Sequence, residues 1–153
     1  MGFFYVQPEV AGAGASGLPS SPVCVFDTWL GDDLVRAHPL FLVTTPLMRA
    51  LRALENPSGF SMARVRIRSS PFFRRYSPKR RLPVFWSIRA GGSPGCADVA
   101  VTVDGSLVVS QRVLEIFMEF RVERAVFAQH SKGTGALAPR RRIGSVCSPG
   151  NGA

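Results

Sequence analysis

The residues able to do chemistry are few and scattered. Asp32 and Asp33 adjoin, and paired carboxylates serve general acid and base catalysis or hold a cation. Only Asp27 stands near them, and two acids just ahead of a helix more often cap it or complement its dipole. Cys24, Cys96 and Cys147 are far apart, with neither a metal-ligand spacing nor an even disulfide set. Free thiols in a reducing compartment are therefore expected. His38 and His130 have no third partner in sequence, and only the fold could pair one with a cysteine as a nucleophile. Residues 12 to 17, GAGASG, satisfy the letter of the dinucleotide fingerprint, but Pro19 and Pro22 stand where a phosphate-binding helix has to open. They read as a flexible loop. No catalytic, cofactor-binding or metal-binding residue is expected, and no cofactor.

Charge is more informative. The chain has 17 Arg and two Lys in a net charge of +9, and two segments supply the excess. Residues 64 to 81 hold eight cations and no acid, whereas residues 1 to 63 sum to −2 and residues 82 to 130 to −1. Lys132, Arg140, Arg141 and Arg142 add the rest near the C-terminus. So heavy a use of Arg over Lys, with much Ala, Gly and Pro, also suits a GC-rich coding sequence, which weakens any inference that each guanidinium was selected for phosphate.

Within the basic segment, residues 60 to 68 alternate, with Met62, Arg64, Arg66 and Arg68 on one side and Ser61, Ala63, Val65 and Ile67 on the other. That is a strand with a basic outer face. SSPFFRRYSP follows, in which Ser70 can cap and Pro71 can open a turn or two of helix presenting Phe72, Phe73 and Tyr76. Three readings fit: a solvated face, a surface for an acidic protein, or a track for a phosphate backbone with aromatic rings for bases. If the segment binds a protein, the expected contacts are Arg74, Arg75, Tyr76, Lys79, Arg80 and Arg81. They combine an aromatic ring with guanidinium groups on a Pro-punctuated connection between structured elements.

These residues must be held by short elements. FFYVQ, VCVFD, PLFLV, LPVFWSIRA and RAVFAQ read as strands, and DVAVTVDGSLVV as a hairpin turning at Asp104 and Gly105. AGAGASGLPSSP reads as a loop, and GDDL as a turn that can begin a short helix. Thr45 as a cap, Pro46, and Leu47, Leu51 and Leu54 at helical spacing predict one helix. Ser110, followed by Val113, Leu114, Phe117, Met118 and Phe120, predicts a second. No internal repeat is evident. The expected fold is α+β, a single domain over residues 1 to 130 with a mixed sheet of five to seven short strands and two main helices on one face. Residues 131 to 153 are expected to form a disordered basic tail. No run of about 18 apolar residues exists and the N-terminus lacks a basic, apolar leader, so a cytoplasmic protein without membrane contact is expected.

Several stretches together carry a family resemblance: FYVQPEVAG, WLGDDL, FLVTTPLMRAL, GF at 59 and 60, SSPFFRRYSPKRRLPVFW and DGSLVVSQRVLEIFMEFRVERA. The chain resembles a group of small actinobacterial proteins, and its last strand-Ser-helix-strand unit is similar to the myxobacterial-type immunity proteins of bacterial polymorphic toxin systems. The resemblance implies a non-catalytic α+β protein that binds and blocks a cognate toxin. Because such proteins are often acidic and this one is basic, its partner would present an acidic face. A basic nucleic-acid-binding module is the alternative, and a small enzyme with an unrecognised site a weaker one.

Overall fold

The computed structural model describes residues 2–15 and 22–130. Ten strands and three helices follow in order: β1 Phe3–Gln7, β2 Glu9–Ala15, β3 Val23–Phe26, β4 Leu34–His38, β5 Leu40–Thr44, α1 Thr45–Arg52, β6 Phe60–Ser69, α2 Pro71–Tyr76, β7 Phe85–Ala90, β8 Val99–Val101, β9 Leu107–Ser110, α3 Gln111–Glu119 and β10 Val126–His130. The α+β expectation stands, with α1 and α3 as the main helices. The strands exceed the five to seven expected and divide into two systems: a four-stranded sheet β10-β1-β9-β8 and a closed barrel β2-β3-β6-β7-β5-β4.

Strand parity explains the division. On β5, Leu42 faces the barrel interior with Val35, Ala37, Val65 and Phe85, while Phe41 and Val43 face outward into a second core. That second core is shared with Val6, Leu107 and Val109 of the four-stranded sheet and with Leu47, Leu51, Val113 and Phe117 of α1 and α3. A strand buried on both faces reads as an unbroken apolar run, which is why FLV appears in sequence without alternation. Each fully buried Leu or Phe contributes roughly 1.5–3 kcal/mol, so the helix stripes hold the two sheets together.

Of the stretch read as a loop from Ala11, residues 11 to 15 are strand and residues 16 to 21 lie outside the described residues. β2 lies antiparallel to β3 and parallel to β4, closing the barrel, with a register shift between Val10 and Gly12. Small residues are needed there: a Cβ on Gly12 would sit 1.9 Å from the Val25 carbonyl oxygen. GDDL forms no helix. Gly31 takes φ +109 and the chain passes directly into β4. The tail expected over residues 131 to 153 lies outside the described residues.

A repeat unseen in the sequence organises the whole. The sheet β8-β9-β1-β10 corresponds strand for strand to β4-β5-β7-β6 of the barrel. Val43 pairs with Leu34 and Trp86, as Val109 pairs with Val99 and Phe4. The second hairpin strand leads into a helix in both halves, and the buried helix residues Leu47 and Leu51 match Val113 and Phe117. Each half lends the other a strand: β1, first in the chain, sits between β9 and β10, while β7 sits between β5 and β6.

At matching places the halves are locked by an aspartate. Asp33 accepts the Thr44 hydroxyl at 2.6 Å, and its main-chain carbonyl accepts the Thr44 N–H at 2.9 Å. Asp98 accepts the Ser110 hydroxyl at 2.8 Å, and its carbonyl accepts the Ser110 N–H at 2.8 Å. Thr44 and Ser110 are thus the N-cap residues of α1 and α3, but their hydroxyls bond the aspartates rather than the helix ends. Thr45, read as a cap, instead accepts the Trp86 indole N–H at 3.0 Å. The remaining carboxylate oxygen takes a backbone N–H from the chain beyond the other half's helix, Arg121 for Asp33 and Ser58 for Asp98.

Asp98 alone is also paired with a guanidinium, that of Arg112, at 2.5 and 2.7 Å. Burial by itself would raise its pKa. Hydrogen bonds from Arg112, Ser110 and Ser58 and the Arg112 charge outweigh that and hold it at about 2. Because the folded value lies below the ordinary 3.8, this stabilisation is fully present above pH ~4 and is lost as pH falls toward 2. At 1.36 kcal/mol per unit it amounts to roughly 2 kcal/mol. Asp98→Ala is expected to cost about 3 kcal/mol in urea unfolding at neutral pH, since it also strands Arg112. Asp33→Ala, which strands no cation, should cost about 1–2 kcal/mol. Equal losses, or an Asp98→Ala penalty that persists unchanged below pH 3, would contradict the assignment.

Candidate interaction face

Helix α2 opens as the sequence dictates: Ser70 Oγ accepts the Phe73 N–H at 3.1 Å and Pro71 occupies the first turn. One aromatic side chain anchors it. Phe73 is buried in the barrel core beside Val65 and Phe85. Phe72 and Tyr76, four residues apart on the outer side, are 51% and 65% exposed with ring centroids 4.5 Å apart. Phe73 is therefore not presented to solvent as expected, whereas Tyr76 is. Arg75 lies 5.7 Å over the Tyr76 ring, and Arg74 donates to the Ser69 carbonyl at 2.6 Å.

The strand leading into α2 continues the charge. The outward side of β6 packs Phe60 and Met62 against the inter-sheet core at its start, then exposes Arg64, Arg66 and Arg68. Val65 and Ile67, of opposite parity, fill the barrel. The pairing of β6 with β7 ends at Val65 and Phe85, so residues 82 to 84 splay away from the last turn of the strand. A cavity of about 460 Å³ opens there, between Arg64 and Arg66 on one side and Leu82 and Val84 on the other. Residues 76 to 80 line a shallower hollow of about 440 Å³.

All six contacts expected from the sequence, Arg74, Arg75, Tyr76, Lys79, Arg80 and Arg81, are exposed, and none forms a salt bridge among the described residues. Arg80 is also engaged within the chain. Its guanidinium donates to the Trp29 carbonyl at 2.5 Å and lies 5.5 Å over the Trp29 ring, which itself packs edge-on against Phe85. It pins the connection rather than offering itself. Phe72, Val84 and the β6 arginines belong to the same region. Alternation signalled the arginines, but nothing in the spacing distinguished exposed Phe72 from buried Phe73 except that only the latter follows the Ser70 cap by three.

The chemistry considered elsewhere is absorbed by structure. Asp32 is buried, accepting the Arg124 N–H at 2.8 Å, while its carbonyl accepts the Trp29 indole at 2.9 Å. Glu9 stands near it, its pKa raised by burial and by the Asp32 charge. Cys24 is a free thiol inside the barrel, pushed by burial to about 11, the reverse of an activated nucleophile. The free-thiol expectation fails for Cys96, which is disulfide-bonded, and Cys147 lies outside the described residues. His38 contacts Arg36 at 3.1 Å and His130 packs edge-on against Tyr5 at 4.9 Å. No group of three or more His, Cys, Asp or Glu among the described residues could hold a metal ion. Among the described residues no helix is long and apolar enough to cross a membrane.

Comparison with protein-family models, curated proteins and solved structures finds no match for this chain.

If Phe72 and Tyr76 serve contact rather than packing, removing them should cost the fold almost nothing. Phe72→Ala and Tyr76→Ala are expected to stay within about 0.5 kcal/mol of the parent in thermal unfolding, against about 3–5 kcal/mol for Phe73→Ala. Comparable losses at all three positions would place the two rings in the core.

Proposed function

We propose that the protein is a non-catalytic binding protein that recognises an acidic protein surface through the face formed by β6, α2 and residues 79 to 84. The resemblance to immunity proteins suggests a cognate toxin as that partner and the cytoplasm as the place of action. One observation carries the reading: Phe72 and Tyr76 stand in solvent on a helix whose neighbours are cations with no described acid to pair with. Exposed rings flanked by arginine are the composition of interface hot spots, where area and hydrogen bonding combine. The buried, high-pKa Cys24 thiol and the hydrogen-bonded Asp32 and Asp33 are occupied in structural roles, which favours binding over catalysis at these residues.

The same pair of exposed rings beside Arg75 also suits a single-stranded nucleic acid, and salt separates the two readings. Phosphate-driven affinity falls steeply with salt for any sequence, whereas an aromatic-centred protein contact depends on it less. The test compares the parent with a variant carrying Arg74→Glu, Arg75→Glu, Tyr76→Ala and Arg81→Glu, leaving Arg80 in place to hold Trp29. Nuclease-treated host extract should yield a defined acidic protein that binds the purified parent directly and loses about a hundredfold or more in affinity for the variant. An unchanged partner in a folded variant overturns the proposal. Salt-sensitive binding of a labelled single-stranded oligonucleotide, with no protein captured, transfers the face to the rival.

A further inference from the structure

Resting on the binding role proposed above, we infer that the acidic partner is held through an extended segment of alternating acidic and apolar residues, which pairs as a strand with β6 in the cleft between Arg66 and Val84. The backbone of β6 prepares the place. Its odd-numbered positions turn toward β7, as the Gly91 N–H on the Gly59 carbonyl at 2.7 Å shows just before the strand begins. Even-numbered positions turn toward β3: the Arg66 and Ser70 N–H groups donate to the Pro22 and Phe26 carbonyls at 3.0 and 2.9 Å. The ladder with β7 stops at Val65 and Phe85. Two residues on, Ile67 would face Pro83, which has no N–H to donate. Among the described residues no backbone group bonds the Ile67 N–H or carbonyl from the β7 side. The cavity of about 460 Å³ opens where that neighbouring strand is missing.

The chemistry of the cleft selects its occupant. A donor and an acceptor offered by one residue call for extended backbone, which answers both, whereas a phosphate could use only the donor. Side chains then set the sequence. Arg64 and Arg66 line the cleft and Arg68 follows them, all three exposed, so the outward side chains of an added strand lie beside cations. Opposite charges across a strand pair are favourable there. The inward side chains meet Ile67 and Leu82, which already pack on the barrel core, and Val84, 42% exposed, adds apolar surface at the rim. Alternate acidic and apolar residues satisfy both sides. This chain does not supply them: residues 16 to 21 and 131 to 153 contain no Asp or Glu, and a second copy would bring a net charge of +9 to a basic face. The occupant is thus a segment of the foreign, acidic partner.

Fluorescence polarisation tests this, with a short labelled peptide of alternating Glu and Val titrated with the full-length protein at physiological salt. The parent should bind it about tenfold or more tighter than a peptide with the same residues in two blocks. N-methylation of every second backbone nitrogen should weaken binding about tenfold in one phase and little in the other, because only one set of N–H groups can face Ile67. The double variant Arg64→Glu, Arg66→Glu should lose the Glu–Val peptide and gain one of alternating Lys and Val, a switch that a folding defect could not produce. Reversal of Arg74, Arg75 and Arg81, outside the cleft, should change peptide affinity by less than about threefold. Equal binding of the alternating and blocked peptides, or equal effects of the two methylation phases, overturns the inference. If the host partner is still captured and is still lost on reversal of the wider face, the binding role survives that failure. Peptide binding with the expected pattern, beside a host partner indifferent to the wider face, keeps the cleft and removes the rest of the face.

Discussion

The two halves of the molecule depend on an aspartate that reaches across from hairpin to helix. Asp33 and Asp98 each sit at the start of a hairpin, each holds the hydroxyl and the N–H at the junction between strand and helix, and each binds a backbone N–H from beyond the opposite helix. Without that bond Thr44 and Ser110 would be small polar residues at the end of buried strands, 3% and 5% exposed, with hydroxyls unsatisfied at a cost of about 1–3 kcal/mol each. Because the third contact crosses to the other half, the bond also sets where α1 and α3 lie relative to each other. The reciprocity is that of an isologous interface within one chain.

Exchange of β1 and β7 follows the same logic. Each is the central strand of a sheet whose remaining strands come from the other part of the sequence, so neither half can bury its apolar stripe alone. The shared core of Val6, Phe41, Val43, Leu107 and Val109 under Leu47, Leu51, Val113 and Phe117 is the product. The barrel extends this plan by the β2–β3 hairpin, inserted between β1 and β4 and absent between β7 and β8. That insertion demands the close approach at Gly12 and gives β6 a neighbour on its far side, leaving its arginines as the solvent face of a rigid wall.

Most elements were legible because their local signals agree with their tertiary roles. The capping Ser70 and Pro71, the alternation through Arg68 and the leucine stripe of α1 each reflect one environment along the whole element. What failed was set by long-range contact. The Gly-Ala run of β2 has no strand propensity of its own and is a strand because β3 and β4 flank it. The repeat was hidden because matching positions share character rather than identity: Leu34 answers Val99, Thr44 answers Ser110, Leu51 answers Phe117, and one extra residue separates Asp98 from Ser110. Only the pattern of an aspartate, an apolar hairpin and a hydroxyl residue before an amphipathic helix could have shown it. On the candidate face, charge was readable but orientation was not, which is why exposed Phe72 was not separated from buried Phe73.

The halves therefore share a plan but not a surface. In the first, the strand that follows the helix is ten residues long, carries alternating arginines, and feeds a short helix with two rings in solvent. In the second, the matching strand is five residues long and has no Lys, Arg, Asp or Glu. The cations of the first half are thus an addition to the common plan, carried on side chains that the shared strand pairing leaves free to differ between the copies.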